Sequence, residues 1–211
     1  MRITKHEHAC LRVEKDGQTV LIDPGSFTPA LDDLDGVVAV VLTHEHPDHW
    51  TPEHLERIRA TSPDVVIYGP EGVARAVSAG ITTVAPGDTV QAGRFELSFF
   101  GGTHNVIHSS IPTIDNVGVL VDGRLYYPGD SYAVPGGIDV EMLAAPIGAP
   151  WLKIGEAMDF VLAVSPRQAF GTHDMTLSAL GLQMHRARLE WATAHGGGTF
   201  TALEAGESRE I

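Results

Sequence analysis

The chain has 211 residues, 43% hydrophobic and 19% charged, enough to bury a sizeable core and ordinary for one globular domain spanning 1–211. Its 14 Lys and Arg against 27 Asp and Glu give a formal net charge of −13, which opposes attraction to phosphodiester polymers, so no nucleic-acid partner is expected. A single cysteine rules out an intrachain disulfide framework, and no apolar run approaches the roughly 20 residues that span a bilayer, so no membrane partner is expected either.

Residues 10–14 and 19–23 flank Asp16-Gly17, a strong hairpin turn signal, and Asp23-Pro24-Gly25 ends the second strand. Residues 1–8 lack the apolar segment of a signal peptide, which with the lone Cys10 predicts a cytoplasmic protein. The run 37–42 is apolar, short and rich in β-branched residues, so it reads as a strand buried on both faces. Thr51 and Pro52 suit the cap and first position of a helix continuing over 53–59, with His54 on its solvated face.

A strand over 65–68 and a helix over 71–79 stopped by Gly80 follow, then a strand over 95–100. Residues 101–116 show neither period and are long enough to be functional. A hairpin over 117–121 and 124–127, turning at Asp122-Gly123, leads into Pro128-Gly129-Asp130-Ser131. Beyond it come a strand over 140–145, a loop over 148–153, a helix over 156–164 and a short buried strand over 168–171. The longest helix covers 178–194, with His185 and His195 as surface or capping residues, and Gly196-Gly197-Gly198 ends it. A strand over 199–203 and a frayed acidic tail close the chain. Asp16-Gly17 and Asp122-Gly123 are matched hairpins, and Leu42-Thr43-His44-Glu45 echoes Gly171-Thr172-His173-Asp174, so two similar β-rich halves are expected.

The chemistry concentrates between the buried strand and the helix, in Thr43-His44-Glu45-His46-Pro47-Asp48-His49. His44 and His46 are two apart and project to one side of an extended segment, while Asp48 and His49 lie beyond the bend at Pro47. Imidazole suits zinc, and His with carboxylate also suits manganese or iron. One turn cannot complete a coordination shell. Further ligands are expected at later strand ends: His104, with His108 four residues on as its alternative, then Asp130 and His173. His8 reads as a packed histidine near a strand in preference to a group with a direct chemical role, and Asp23 reads as a turn former.

This string, with its later His, Gly-Asp and final His, resembles the metallo-β-lactamase-fold hydrolase superfamily along nearly the whole chain. Met1-Arg2-Ile3-Thr4-Lys5, His8-Ala9-Cys10 and Leu21-Ile22-Asp23-Pro24-Gly25 are similar to the branch containing L-ascorbate-6-phosphate lactonase. The resemblance implies an αββα sandwich of two mixed sheets with outer helices. It also implies two divalent ions, one on His44, His46 and His104, the other on Asp48, His49 and His173, with Asp130 and a hydroxide bridging. His46 stands where flavodiiron proteins usually have Glu, which disfavours redox chemistry. Asp130 stands where many metallo-β-lactamases use Cys, which disfavours antibiotic hydrolysis.

The expected activity is hydrolysis of a small ester, lactone or phosphoester by a metal-bound hydroxide, with Asp48 anchoring an ion and His108 transferring a proton on the substrate side. Tyr132, Trp151 and Lys153 are candidates for the pocket mouth. The alternatives are a phosphodiesterase on nucleic acid or a lipid headgroup, glyoxalase-type thioester hydrolysis, and a metal-binding or regulatory protein without turnover. The expected partner is a small-molecule substrate, with homo-oligomer formation left open.

Overall fold

The computed structural model describes residues 1–77 and 79–211. The first half contains β1 (Arg2–Lys5), β2 (Leu11–Lys15), β3 (Gln18–Ile22), β4 (Val37–Val41), α1 (Pro52–Thr61), β5 (Val66–Gly69), α2 (Glu71–Val77) and β6 (Ile81–Thr83). The second contains β7 (Thr89–Ala92), β8 (Phe95–Thr103), β9 (Asp115–Val121), β10 (Leu125–Tyr127), β11 (Met142–Pro146), α3 (Ile154–Val164), β12 (Gln168–Thr172), α4 (Ala179–His195), β13 (Thr199–Phe200) and β14 (Ser208–Glu210). The strands form two seven-stranded sheets, ordered β14-β1-β2-β3-β4-β5-β6 and β13-β12-β11-β10-β9-β8-β7.

Alternation along the strands builds four layers. Val20, Ile22, Ala39 and Val41 of the first sheet meet Leu97, Phe99, Val119 and Phe170 of the second in a central core. Leu21 and Val40, on the opposite face, pack with Leu55 and Ile58 of α1 and Val73 of α2. Leu143, Ala145 and Ala169 pack with Phe160 and Val161 of α3 and Leu189 of α4. β4 is therefore apolar on both faces, which is why its sequence shows a continuous run. The αββα sandwich is as expected.

The halves correspond. Each sheet joins an antiparallel hairpin to a run of parallel strands: β2/β3 followed by β4, β5 and β6, and β9/β10 followed by β11, β12 and β13. Both hairpins turn on Asp-Gly with positive φ at both residues, 49° and 75° at Asp16-Gly17 and 52° and 67° at Asp122-Gly123. In each half a parallel strand ends at the candidate ligands: β4 runs into His44, and β12 into His173.

Several expectations need correction. Residues 101–103 and 115–116 lie in β8 and β9, paired Gly101↔Val117, Gly102↔Asn116 and Thr103↔Asp115. Two glycines without side chains had hidden the strand period. The tail is not frayed: Arg2 pairs with Glu210, and the amino terminus donates to the Ile211 carbonyl at 2.8 Å. Backbone pairing at a sheet edge leaves no mark in hydropathy. β6 and β7, largely polar, were missed for the same reason, and the last predicted strand shortens to β13. The helix expected over 71–79 is seen through Val77; its Ser78 lies outside the described residues. His54 is buried, its Nε2 3.0 Å from the Thr28 carbonyl, because the β3–β4 connection folds over α1.

Candidate metal centre

The turn after β4 is held from below by Asp23, which is completely buried. Asp23 Oδ1 accepts from the Thr43 N–H at 2.8 Å, and its Oδ2 accepts from Thr43 Oγ1 and His49 Nδ1, both at 2.6 Å. Gly25 lets the chain pass against this turn. A Cβ there would fall 1.8 Å from the Asp48 carbonyl oxygen, so only glycine fits. Asn116 of β9 fixes the turn carrying Asp130, donating to the Pro128 carbonyl at 2.9 Å and accepting from the Asp130 N–H at 3.0 Å.

These elements bring the seven expected residues together. His44, His46 and His104 form one triad, His44, His49 and Asp130 another, and His8, Asp48 and His173 a third, with the donor atoms of each within 4.8 Å of one another. Asp130 sits at the middle. Its Oδ2 lies 3.4 Å from His104 Nε2, 3.2 Å from His173 Nε2 and 4.0 Å from His44 Nε2, and its Oδ1 lies 3.3 Å from His49 Nε2. Asp48 Oδ2 lies 3.3 Å from His173 Nε2 and 3.9 Å from His49 Nε2. His44 Nε2 and His46 Nδ1 are 3.1 Å apart.

The donor set fits divalent cations. Zn–N bonds of about 2.0–2.1 Å in a tetrahedron place neighbouring donors about 3.3–3.4 Å apart, close to these separations. His49 Nε2, His104 Nε2, His173 Nε2 and Asp130 Oδ1 are buried and have no hydrogen-bond partner among the described residues. Leaving several such atoms unpaired is costly, and all four point into the same small volume.

The opposite ring nitrogens explain why Nε2 faces inward. His44 Nδ1 lies 3.0 Å from Thr43 Oγ1, whose proton goes to Asp23, so the imidazole is the donor. His49 Nδ1 donates to Asp23, His104 Nδ1 to the Asn105 carbonyl at 2.5 Å and His173 Nδ1 to the Gly148 carbonyl at 2.5 Å. Each contact holds a proton on Nδ1 and turns Nε2 to the centre, as the atom free to bind a cation once it carries no proton of its own.

Charge divides the cluster. Burial, reinforced by neighbouring His49, holds His44 well below its ordinary value, and burial also lowers His46. Burial opposes charge on His49 too, but Asp130 and Asp23 outweigh it and hold the imidazole well above its usual range. His173 is likewise raised to about 9, because Asp130 and Asp48 overcome its burial. Burial raises both aspartates, yet the surrounding histidines hold Asp48 and Asp130 below the normal carboxylate range.

His108 stands apart from these groupings. It is exposed, with Nδ1 2.8 Å from Ser110 Oγ and accepting from the Ser110 N–H at 3.2 Å. Trp151 is buried and donates from Nε1 to Asp130 Oδ2 at 2.8 Å, so it touches the cluster itself rather than a rim. Tyr132 packs its ring against Trp151 and Phe160, and Lys153 is exposed at the cap of α3. His185 caps a loop, its Nδ1 2.6 Å from the Ile147 carbonyl, and His195 stacks on Trp191. Sequence reasoning missed Asn116, which lay in the stretch without period, and the proximity of His8 to the ligands.

Two packed sheets with a His/Asp cluster at their strand ends define the metallo-β-lactamase fold. The beta-lactamase superfamily domain matches residues 2–173. Protein Rv0786c of Mycobacterium tuberculosis is 34% identical over 194 residues, covering 90% of this chain and 91% of that one. The UPF0173 protein PF0020 of Pyrococcus furiosus is 33% identical over 190 residues, covering 84% and 85%. A UPF0173 metal-dependent hydrolase of Hyperthermus butylicus is 27% identical over 197 residues, covering 86% and 78%. Among solved structures, Igni18, a metallo hydrolase from Ignicoccus hospitalis, superposes with a TM-score of 0.75 at 19% identity, covering 100% of this chain and 98% of that one. The chain belongs to the UPF0173 family of the metallo-β-lactamase superfamily.

Proposed function

We propose that the protein is a dinuclear hydrolase of a small ester, lactone or phosphoester, working with zinc in the cytoplasm. The observation that carries this is the convergence of four unpartnered buried atoms, on His49, His104, His173 and Asp130, into the volume that His44, His46 and Asp48 also face. His44, His46 and His104 would hold one ion and Asp48, His49 and His173 the other, with Asp130 between them. Bound there, the ions supply a water acidified to near-neutral pKa and a Lewis acid for the substrate oxygen.

The chain's own residues do the rest. Asp23, Gly148 and Asn105 fix the tautomers so that lone pairs face the ions. Trp151 holds Asp130 Oδ2 from the side and shields it from bulk water. His108, exposed and carrying its proton on Nε2, would protonate a leaving oxygen only of a substrate that extends from the cluster to the 104–114 loop. The resemblance of 1–5, 8–10 and 21–25 to the L-ascorbate-6-phosphate lactonase branch favours a lactone or phosphoester. Zinc is favoured over manganese or iron by the number of imidazoles. A cytoplasmic setting agrees with Cys10, which is buried and whose thiol burial holds protonated.

The test pairs His46→Ala with the parent protein. Metal content and turnover are measured on a panel of chromogenic esters, lactones and phosphodiesters. Joint loss of metal and turnover is expected. Full turnover by a variant that has lost its metal would refute the reading.

A further inference from the structure

His8 lies 36 residues before the first ligand of the metal turn, in the short connection between β1 and β2, yet it is completely buried against the cluster. Its backbone is left-handed, with φ of 59°. Its ring centroid is 3.9 Å from that of His173, with Phe27 edge-on at 4.8 Å on another side. Three polar contacts leave it. Nε2 is 3.2 Å from Asp48 Oδ2, Nδ1 accepts from the Met175 N–H at 3.3 Å, and the carbonyl accepts from the His173 N–H at 2.7 Å.

Distance alone makes His8 a candidate ligand, since its donor atom groups with those of Asp48 and His173. Tautomerism argues otherwise. In His44, His49, His104 and His173 the outer Nδ1 donates to a group behind the ring, so the inner Nε2 is the atom that can offer a lone pair once it carries no proton. In His8 the pattern is inverted: an amide N–H donates to Nδ1, so the neutral ring carries its proton on Nε2, where it meets Asp48. To bind a cation through Nε2 the ring would have to move that proton to Nδ1, the position the Met175 N–H already occupies.

We propose that His8 is a positioning residue of the second ion's pocket, whose Nε2–H fixes the Asp48 carboxylate while its carbonyl fixes the backbone of His173. One residue of the β1–β2 connection thereby ties together two ligands delivered by different sheets, Asp48 after β4 and His173 after β12. The strained φ of 59° at His8 and of 58° at His173 is what brings that carbonyl and that N–H face to face. The assignment rests on the two-ion reading for its effect on metal, though not for the hydrogen bonds themselves.

The experiment has two arms. In the first, protein labelled with ¹⁵N-histidine is observed by NMR metal-free and loaded with ¹¹³Cd. His8 is expected to keep its proton on Nε2 in both states and to show no scalar coupling to cadmium. A proton on Nδ1, or a cadmium coupling to His8 Nε2, overturns the proposal by making His8 a ligand. In the second, zinc affinity is measured against a competing chelator for the parent protein, His8→Ala and His8→Gln. His8→Ala should weaken the second zinc by about 10- to 100-fold and leave the first unchanged. His8→Gln, whose amide can donate from the same position, should recover most of that loss. Unchanged zinc binding in His8→Ala, or no recovery in a folded His8→Gln, contradicts the proposal. If the parent protein binds one zinc only, the two-ion reading fails, and the tautomer in the metal-free protein still decides the role of His8.

Discussion

His46 is half-exposed, and its Nδ1 faces only another ligand, His44; His49 and His173 are buried, each pinned through Nδ1 to an acceptor behind it. The His44/His46/His104 side is thus open at His46 alone, since His44 and His104 are buried and held through Nδ1 by Thr43 and the Asn105 carbonyl. The Asp48/His49/His173 side is rigid and charge-coupled, backed by Asp23, His8 and the Gly148 carbonyl. The difference teaches that solvent reaches the cluster at the His46 corner. The other four ligand histidines are closed over and held from behind.

Asp130 belongs to both sides, so its replacement has the largest expected effect. Asp130→Asn removes the carboxylate facing four histidines, and in the metal-free protein leaves His49 and His173 without their main counter-charge, a cost of about 3–5 kcal/mol. Urea denaturation of the metal-free variant and metal analysis should show that loss together with release of both ions. Retention of two ions at parental affinity would remove Asp130 from the bridge.

Gly25→Ala separates the sides. Its Cβ would overlap the Asp48 carbonyl at 1.8 Å, so the Asp48-His49 backbone must move, costing about 1–3 kcal/mol. The second ion should be lost before the first in a chelator titration. Asp23→Asn acts on the same side more gently. It keeps the size of the group but loses the charge that orients His49, and the second zinc should weaken by about 10- to 100-fold. Equal weakening of both ions in either variant would argue against two separately supported pockets.

The pH dependence sharpens the contrast. His49, held well above its ordinary value, and His173, at about 9, are both protonated in the metal-free protein at neutral pH, and each must release its proton to bind. Affinity for the second ion should therefore climb between pH 7 and 9, by up to about tenfold per pH unit for each proton displaced. His44 and His46 are lowered and already neutral above pH 7, so they add no such slope to the first. Calorimetry in buffers of different ionisation heat counts the protons released. The same shift has a consequence for stability. The contribution of His173 to the metal-free fold is complete below the unfolded value of about 6.5 and is lost as pH rises through about 9.

The smallest effect lies outside the comparison. Thr51 caps α1 by accepting from the His54 N–H at 3.2 Å, so Thr51→Ala should cost about 1 kcal/mol in thermal denaturation without changing metal content.

The convergence of the seven expected residues was legible because parallel strands in such a sandwich end close together: the apolar run of β4 leads into His44, and β12 leads into His173. The αββα architecture was legible for the related reason that β4, buried on both faces, has no polar break. What lay behind the ligands was harder to read. The Asn105 and Gly148 carbonyls are backbone groups that any residue would offer. Asn116 sat among glycines that concealed the strand, and His8 looked like ordinary packing because its partners lie 40 and 165 residues away. The same blindness to backbone pairing turned β14 into a frayed tail.

Anomalous diffraction from crystals grown with zinc tests the central claim most directly. Two peaks about 3.5–4 Å apart are predicted, one among His44, His46 and His104 and one among Asp48, His49 and His173, with Asp130 touching both. A single peak, or zinc bound away from these seven residues, would contradict it.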